Sequence, residues 1–399
     1  MSNACFISLF SGAGGLDLGL EQAGWTGLYA ADIDRCAVDT LIANRGFPIG
    51  NRRFLERAVV EHADVQQLTG DMILRKIGAE RGDVPLLVGG PPCQSWSSAG
   101  RQRGFDDPRG QLFADFVRLA GELGVRWLMF ENVRGLLTAR GPDGQPGSAL
   151  HLIRRRLLDA GFQTAVHLVN AADYGVPQRR VRLIVVGYRV GDEFAVPSPT
   201  HHKADCDRPA WRPLQDALDA VVPVHESEVQ RPTGLLAGQM KDLAPGTGVK
   251  SMGKREATRP GGHWGYKQGA FVTDPSRPGR TVTASGQQDW LRDPQHGLRK
   301  LTARECAALQ TFPATWTFCG KQADLYRLIG NAVPPKIGAV VGAALLAHCE
   351  REDHTLASTT SLVPLPEKLA SAVRYTQREE FRNGASRRAA PDRRARKVA

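Results

Sequence analysis

The sequence predicts an α/β protein, a mainly parallel sheet covered by helices on both faces, followed by a smaller, irregular domain. Three observations carry this. Apolar periodicity alternates between strand and helix from the first residues, a glycine-rich turn follows the first strand, and from about Gly191 the texture shifts to Pro, Gly, His and Trp.

The elements follow in order. Cys5 to Phe10 reads as a buried strand, Leu16 to Ala23 as a helix, Gly27 to Ala31 as a second strand and Asp34 to Ala43 as a second helix. The alternation continues through strand Leu86 to Val88, helix Gln111 to Leu123, strand Trp127 to Phe130, helix Leu150 to Leu158 and strand Val181 to Val186. In such a sheet ligands are expected at the carboxyl ends of the strands. Beyond the irregular region, Thr302 to Gln310 reads as a helix whose Thr302 and Glu305 form a capping box. Val333 to His348 reads as another, with Pro334 and Pro335 tolerated in its first turn.

The chain has 399 residues, with 42% hydrophobic and 23% charged, which excludes global disorder and collagen-like classes. Lys and Arg number 52 against 41 Asp and Glu, a formal charge of +11 that favours a polyanionic partner. Residues 378–399 hold eight basic and three acidic side chains, so a disordered, basic tail is expected over 351–399. Seven cysteines without a C-x-x-C pair predict neither a disulfide framework nor a metal site, and fit a reducing compartment. No apolar run in the sequence approaches the ~18 residues of a membrane span, and no signal peptide is expected.

Four segments could carry chemistry. Phe10-Ser-Gly-Ala-Gly-Gly15 opens a helix after a strand, the setting in which backbone N–H groups approach a nucleotide-like ligand. Asp17 stands where a dinucleotide fingerprint has its third glycine, which counts against NAD; Asp32 could accept from a ribose diol or be an ordinary helix-start acid. In Gly89-Gly-Pro-Pro-Cys93, the cysteine is either an inert packing residue or, beside Arg101 and Arg103, a thiolate. Strand 127–130 delivers Glu131-Asn-Val133 to the same sheet edge, where a carboxyl group either donates to a ring nitrogen or makes an ordinary cap or salt bridge. Arg180 and Arg182 alternate along Gln178-Arg-Arg-Val-Arg182 and are expected on one face, suited to carbonyl or phosphate oxygens or simply to a charged strand edge.

Together with Arg304-Glu-Cys-Ala307, Leu309-Gln-Thr-Phe-Pro313 and Gly330-Asn-Ala-Val-Pro-Pro335, these blocks occur in an order that resembles the DNA (cytosine-5) methyltransferase family, of the prokaryotic restriction-modification type. The resemblance implies a Rossmann-like S-adenosylmethionine-dependent domain over 1–188 and 325–350 and a target-recognition domain over 189–324. It implies a cofactor pocket of Phe10, Gly12, Ala13, Gly14, Gly15, Leu16, Asp32, Ile33, Asp64, Val65, Pro91 and Asn331, with Phe10 against the adenine, Asp32 at the ribose and Asp64 near the adenine amine. Cys93 resembles the nucleophile that adds to cytosine C6, Glu131 the group at N3 and the exocyclic amine, and Arg180 and Arg182 the arginines near the cysteine and cytosine O2.

Addition of a thiolate at C6 with a proton given to N3 turns a poor carbon nucleophile into an enamine whose C5 can attack a sulfonium methyl. The target ring edge is inaccessible in a stacked duplex, so the nucleotide must be flipped out. Residues 94–107 are then expected to form a loop that closes over the base, with Gln94, Ser97 and Arg101 toward the DNA, while Thr281 and Thr283 match an element at the end of the recognition region. Trp264, Tyr266 and Trp290 could wedge or stack at the DNA, but are expected instead to hold the small domain together. Double-stranded DNA is the implied partner, with a cognate restriction endonuclease, a monomeric state and a cytoplasmic, nucleoid-associated location. Three rivals remain: an RNA cytosine-5 methyltransferase, whose characteristic cysteine-phenylalanine-threonine element is missing here, a nucleotide-binding oxidoreductase, and a noncatalytic DNA-binding protein on this scaffold, which usually lacks the cysteine or glutamate present here.

Overall fold

The structure is a computed structural model that describes residues 4–92, 108–203, 207–251, 269–351, 355–358 and 360–388. Its first strand, β1 (Cys5–Leu9), is buried along its whole length because Cys5, Phe6, Ile7 and Leu9 present apolar side chains to both faces. It leads through the glycine turn into α1 (Gly15–Gln22), then β2 (Thr26–Asp32) and α2 (Arg35–Ala43), which Asp34 caps by accepting from the Cys36 N–H at 3.0 Å. A small hairpin, β3 (Pro48–Ile49) and β4 (Arg52–Arg53), precedes β5 (Val59–His62) and α3 (Gly70–Ile77). Next come β6 (Leu86–Gly89), α4 (Pro108–Leu123), β7 (Trp127–Val133), α5 (Ser148–Asp159), β8 (Gln163–Asn170) and β9 (Val181–Tyr188).

Seven strands form one sheet in the order β5-β2-β1-β6-β7-β9-β8. The first five are parallel, whereas β9 runs antiparallel to both β7 and β8. Strand order reverses between the parallel neighbours β1 and β6, so the crevice at their carboxyl ends is the expected ligand position. The predicted helices and strands occur with boundaries shifted by a few residues, but β5, α3 and β8 do not appear in the periodicity reading. Within the seven-stranded sheet the two unread strands, β5 and β8, lie at the edges.

The irregular region holds α6 (Gln215–Asp219), α7 (Gly234–Met240) and a four-stranded sheet of β10 (Thr247–Gly248), β11 (Phe271–Val272), β12 (Trp290–Asp293) and β13 (Gly297–Lys300). Its apolar centre is small: Met240, Val272 and Trp290. Trp290 therefore packs as expected, while Trp264 and Tyr266 lie outside the described residues.

After this region the chain returns to the main body in α8 (Ala303–Leu309), α9 (Gln322–Asn331) and α10 (Pro335–Cys349). Leu301, Leu309, Phe312 and Trp316 share one core cluster with Ala13, Leu41 and Phe54, so residues from 301 onward pack beneath the glycine turn. The stretch Gln322–Cys349 is apolar and long enough to pass for a membrane span, but it is divided into α9 and α10 at Ala332–Pro334 and more than half buried. Gly19 of α1 explains how closely α10 can lie: a Cβ there would stand 2.3 Å from the Pro335 carbonyl oxygen.

The tail is not disordered throughout. Residues Glu367–Arg388 form α11, which seats Leu369, Ala372 and Val373 on the main core and donates from Gln377 Nε2 to the Pro146 carbonyl at 3.0 Å. An apolar stripe at helical spacing outweighs the charge that predicted disorder. Residues 389–399 lie outside the described residues.

Candidate active site

The glycine turn begins on a strained residue. Phe10 takes φ 56°, a left-handed conformation that costs a non-glycine residue on the order of 1–2 kcal/mol, and so turns the chain sharply off β1. Gly12 then faces open space, its N–H donating to Asp32 Oδ2 at 2.8 Å, while Asp32 Oδ1 accepts from the Asp34 N–H at 2.8 Å. Each carboxylate oxygen keeps a further lone pair, the acceptor set a ribose diol requires. Burial raises the Asp32 pKa, against those two amide donors. Beside it Ile33 is 62% exposed, an apolar surface at the mouth of the crevice, and Asp64 is half-buried with Oδ1 accepting from the Gln66 N–H at 3.0 Å. These residues fit an adenosyl group.

Other members of the expected pocket turn inward. Ala13, Leu16 and Val65 are buried in core clusters, Gly14 abuts Leu41 and Phe54, and Gly15 abuts the Val333 carbonyl. Their small size serves packing beneath the ligand surface. Asn331 is exposed at the end of α9, and Pro91 accepts at its carbonyl from Asn132 Nδ2 at 3.3 Å.

Asp17 does not interrupt helix packing, since the close approach lies at Gly19. It is fully buried beneath the turn, and neither carboxylate oxygen has a partner in hydrogen-bond geometry among the described residues. Burial pushes its pKa up to about 6, opposed by the Ser8 hydroxyl. One turn on, burial likewise pushes Glu21 up to about 7, although it accepts from the Gly27 and Leu55 N–H groups at 3.1 and 3.0 Å. Helical periodicity marks only apolar positions, so nothing in the sequence pattern points to the burial of either acid.

At the other side of the crevice, β7 carries Glu131 to the sheet edge. Val133 pairs with Arg182 in the antiparallel register, which makes Glu131 and Arg182 diagonal neighbours on one face. Arg182 Nε lies 2.7 Å from Glu131 Oε1, with side-chain exposures of 15% and 11%. The pair borders a cavity of about 10 Å³ together with Val333 and Pro334, so the late proline block closes over the carboxylate.

Arg180 borders the same cavity, but its guanidinium has another task. It is 1% exposed and donates to the carbonyls of Val282 at 3.1 Å, Gly330 at 2.9 Å and Ala332 at 2.8 Å. The simple alternation that put it beside Arg182 fails because Arg180 precedes β9, where the backbone is not yet in the sheet. Gln178 joins it, accepting from the Val282 N–H at 3.1 Å and donating to the Leu309 carbonyl at 3.2 Å. Gly330 fits against this junction only without a side chain, as a Cβ would meet the Thr283 carbonyl at 2.2 Å. Four of the sequence blocks thus meet in one buried polar brace. Thr281 Oγ1, at an exposed position, donates to the Arg179 carbonyl at 2.7 Å, and Thr283 Oγ1, half-buried, lies 3.1 Å from Ser285 Oγ.

Cys93, Gln94, Ser97 and Arg101 lie outside the described residues. What is described ends at Pro92, directly after β6 and beside the Asn132 contact.

A switch-point crevice whose rim fits an adenosyl group, with a carboxylate–arginine pair across β7 and β9 beside it, belongs to an α/β methyltransferase fold. The chain belongs to the family of C-5 cytosine-specific DNA methylases, which it matches over residues 4–347. It is 34% identical over 357 residues to the Type II methyltransferase M.Eco47II of Escherichia coli, covering 85% of this chain and 78% of that one. It is 32% identical over 370 residues to M.NgoPII of Neisseria gonorrhoeae, covering 86% and 96%. The Dnmt2 methyltransferase of S. pombe shares the fold, with a TM-score of 0.59 at 17% identity over 86% of this chain and 99% of that one. The protein is a DNA cytosine-5 methyltransferase of a family that uses S-adenosylmethionine, which removes the oxidoreductase reading.

Proposed function

We propose that the crevice between β1 and β6 holds S-adenosylmethionine and that Cys93, Glu131 and Arg182 act on a cytosine flipped out of a specific duplex sequence. The observation that carries this is the 2.7 Å Glu131–Arg182 pair at the edge where β6 releases the chain toward Cys93. Asp32 would bind the ribose hydroxyls, Ile33 and Phe10 the adenine, and Asp64 the adenine amine. When bound, the cofactor supplies an electrophilic methyl group.

The chain's own residues do the rest. The Cys93 thiolate adds to C6 as a proton passes from the Glu131 carboxyl to N3, which leaves C5 electron-rich. Arg182 fixes the orientation of Glu131 and offers its remaining N–H groups to O2. After methylation a base takes the C5 proton and the thiolate departs. Arg180, by contrast, is a positioning residue: it ties the Thr281-Val-Thr283 element to the Gly330 block, so the recognition region is held in register with the catalytic edge. The recognition region is assigned to the residues following Tyr188, and the segment 94–107 to closure over the base. Kinship with Type II methyltransferases supports pairing with a restriction endonuclease, in a bacterial cytoplasm, with the methyltransferase acting as a monomer.

The test is transfer from labelled S-adenosylmethionine to mixed-sequence duplex DNA, followed by sequencing that locates 5-methylcytosine. Label at one recurring sequence is expected, lost in Cys93→Ala and reduced at least ~100-fold in Glu131→Gln. Label on RNA and not on DNA would overturn the substrate, and full activity of Cys93→Ala would overturn the mechanism.

A further inference from the structure

The match to the methylase family ends at residue 347, and α11 begins beyond it at Glu367, yet this helix is built into the main body. Two buried side chains of the body spend their hydrogen bonds on the segment that leads to it. Gln163, at the start of β8, donates from Nε2 to the Ser358 and Ser361 carbonyls at 2.9 Å each, and its Oε1 accepts from the Val363 N–H at 3.2 Å. Arg154 of α5 donates to Thr164 Oγ1 at 2.9 Å and to the Val363 carbonyl. Gln163 is 3% exposed and Arg154 4%, so each would lose a buried acceptor if this segment left.

What α11 reaches is the turn that follows the catalytic strand. β7 ends in Glu131-Asn132-Val133, and the chain passes at once into a 3₁₀ turn, Arg134–Thr138. Leu136 and Leu137 of this turn are buried and share one core cluster with Leu369, with Ala372 and Val373 packed against that cluster. The helix lies directly on the turn. Val373 marks the seam: a Cβ built on Gly147 would meet Val373 Cγ1 at 2.6 Å and the Leu137 carbonyl oxygen at 3.6 Å, so helix, turn and the start of α5 converge there.

This seam is close to the chemistry. Only Asn132 and Val133 separate the turn from Glu131, and the ladder between β7 and β9 ends at the Val133–Arg182 pair. Beyond that pair, the packing of Leu136 and Leu137 takes over the restraint of the strand end. A carboxyl group that gives a proton to a ring nitrogen works only within hydrogen-bond reach, and a displacement of about 1 Å can cost about 100-fold in rate.

We propose that α11 is a positioning element for methyl transfer: it packs the Arg134–Thr138 turn against the end of β7 and thereby holds the Glu131 carboxyl in reach of the target cytosine. This role rests on Glu131 acting on the base, and it requires no contact of α11 with DNA, cofactor or the reacting atoms.

The experiment measures kcat, KM for duplex DNA, cofactor affinity and melting temperature in the full chain, for wild type, Val373→Asp, Val373→Ile and Leu369→Ala, with kcat taken per folded molecule. Val373→Asp puts a charge into the seam and is expected to lower kcat about 10-fold, while KM for DNA and cofactor affinity stay at wild-type values. Val373→Ile keeps the apolar surface and should keep kcat, and Leu369→Ala should lower kcat about 3-fold. In a Glu131→Gln background Val373→Asp should lower kcat no further, because the group it misplaces is already gone. A wild-type kcat in Val373→Asp overturns the proposal; if that variant does not fold, a wild-type kcat in Leu369→Ala does so. A kcat that falls only with the folded fraction, or a full additive loss on top of Glu131→Gln, also overturns it. Failure of the Glu131 reading looks different: Glu131→Gln alone would then keep a wild-type kcat.

Discussion

The main body and its junction with the recognition region bury charge in opposite ways. Beneath the glycine turn Asp17 is sealed in the main body with no ion partner among the described residues and only the Ser8 hydroxyl acting on it, so between about pH 4 and 6 folding takes up a proton there. At the small sheet Glu305 is equally buried but fully used: it accepts from both Nη atoms of Arg299 at 2.8 and 2.7 Å and closes the α8 capping box on the Thr302 N–H at 2.8 Å. The difference follows from the supply of apolar surface. Around Asp17 extensive core clusters carry the stability, and an acid without an ion partner among the described residues is tolerated. The small sheet has only Met240, Val272 and Trp290 at its centre, so a polar clasp from Asp293 through Arg299 to Glu305 has to join it to α8.

That contrast breaks first at Glu305. Glu305→Ala strands Arg299, which is 1% exposed, with Asp293 alone, and removes a helix cap; a loss of about 3–5 kcal/mol is expected in urea unfolding. The recognition region should loosen before the main body, seen as early proteolysis between 189 and 300. Equal loss of protection across both parts would show that the two regions fold as one unit and that the comparison is misplaced.

Asp17 gives the next effect, and its sign is fixed by linkage. The unfolded acid ionises near 3.8 and the folded one near 6, so between these values the native state holds the extra proton. Stability from this group is complete below about pH 4 and is lost as pH rises through 6, by roughly 3 kcal/mol in all. Asp17→Asn should match wild type at pH 4 and exceed it at pH 8. Parallel stability curves for the two proteins would mean that Asp17 is ionised and paired after all. Glu21, raised to about 7, leaves a similar slope in both proteins.

The smallest effect belongs to a clasp at the surface. Arg304 bonds Glu228 at 2.6 Å, but its side chain is 41% exposed, so Arg304→Ala should cost less than about 1 kcal/mol and fade further in salt. A cost rivalling Glu305→Ala would show that the whole charged network, and not the buried part of it, holds the recognition region.

Local features were legible without coordinates because each depends on a few adjacent residues. Alternating periodicities carried β1, α1, β2, α2, β6, β7 and β9; the Thr302–Glu305 spacing carried the α8 cap; and the ordered motifs placed Asp32, Glu131 and Arg182 on the crevice. The edge strands β5 and β8 lacked clear signals, and α11 was hidden by its charge. What only the tertiary structure decided is the use of each polar group once the chain is closed. Arg180 looks like a second catalytic arginine until the carbonyls 102, 150 and 152 residues away arrive to occupy it. Asp17 looks like the residue that breaks a dinucleotide fingerprint until the closed fold buries it, and Arg179 meets the Gly279 carbonyl only once chain segments 100 residues apart come together. Residue type and spacing determine which chemistry is available, but burial and partner are sums over the whole fold, and no short stretch of sequence contains them.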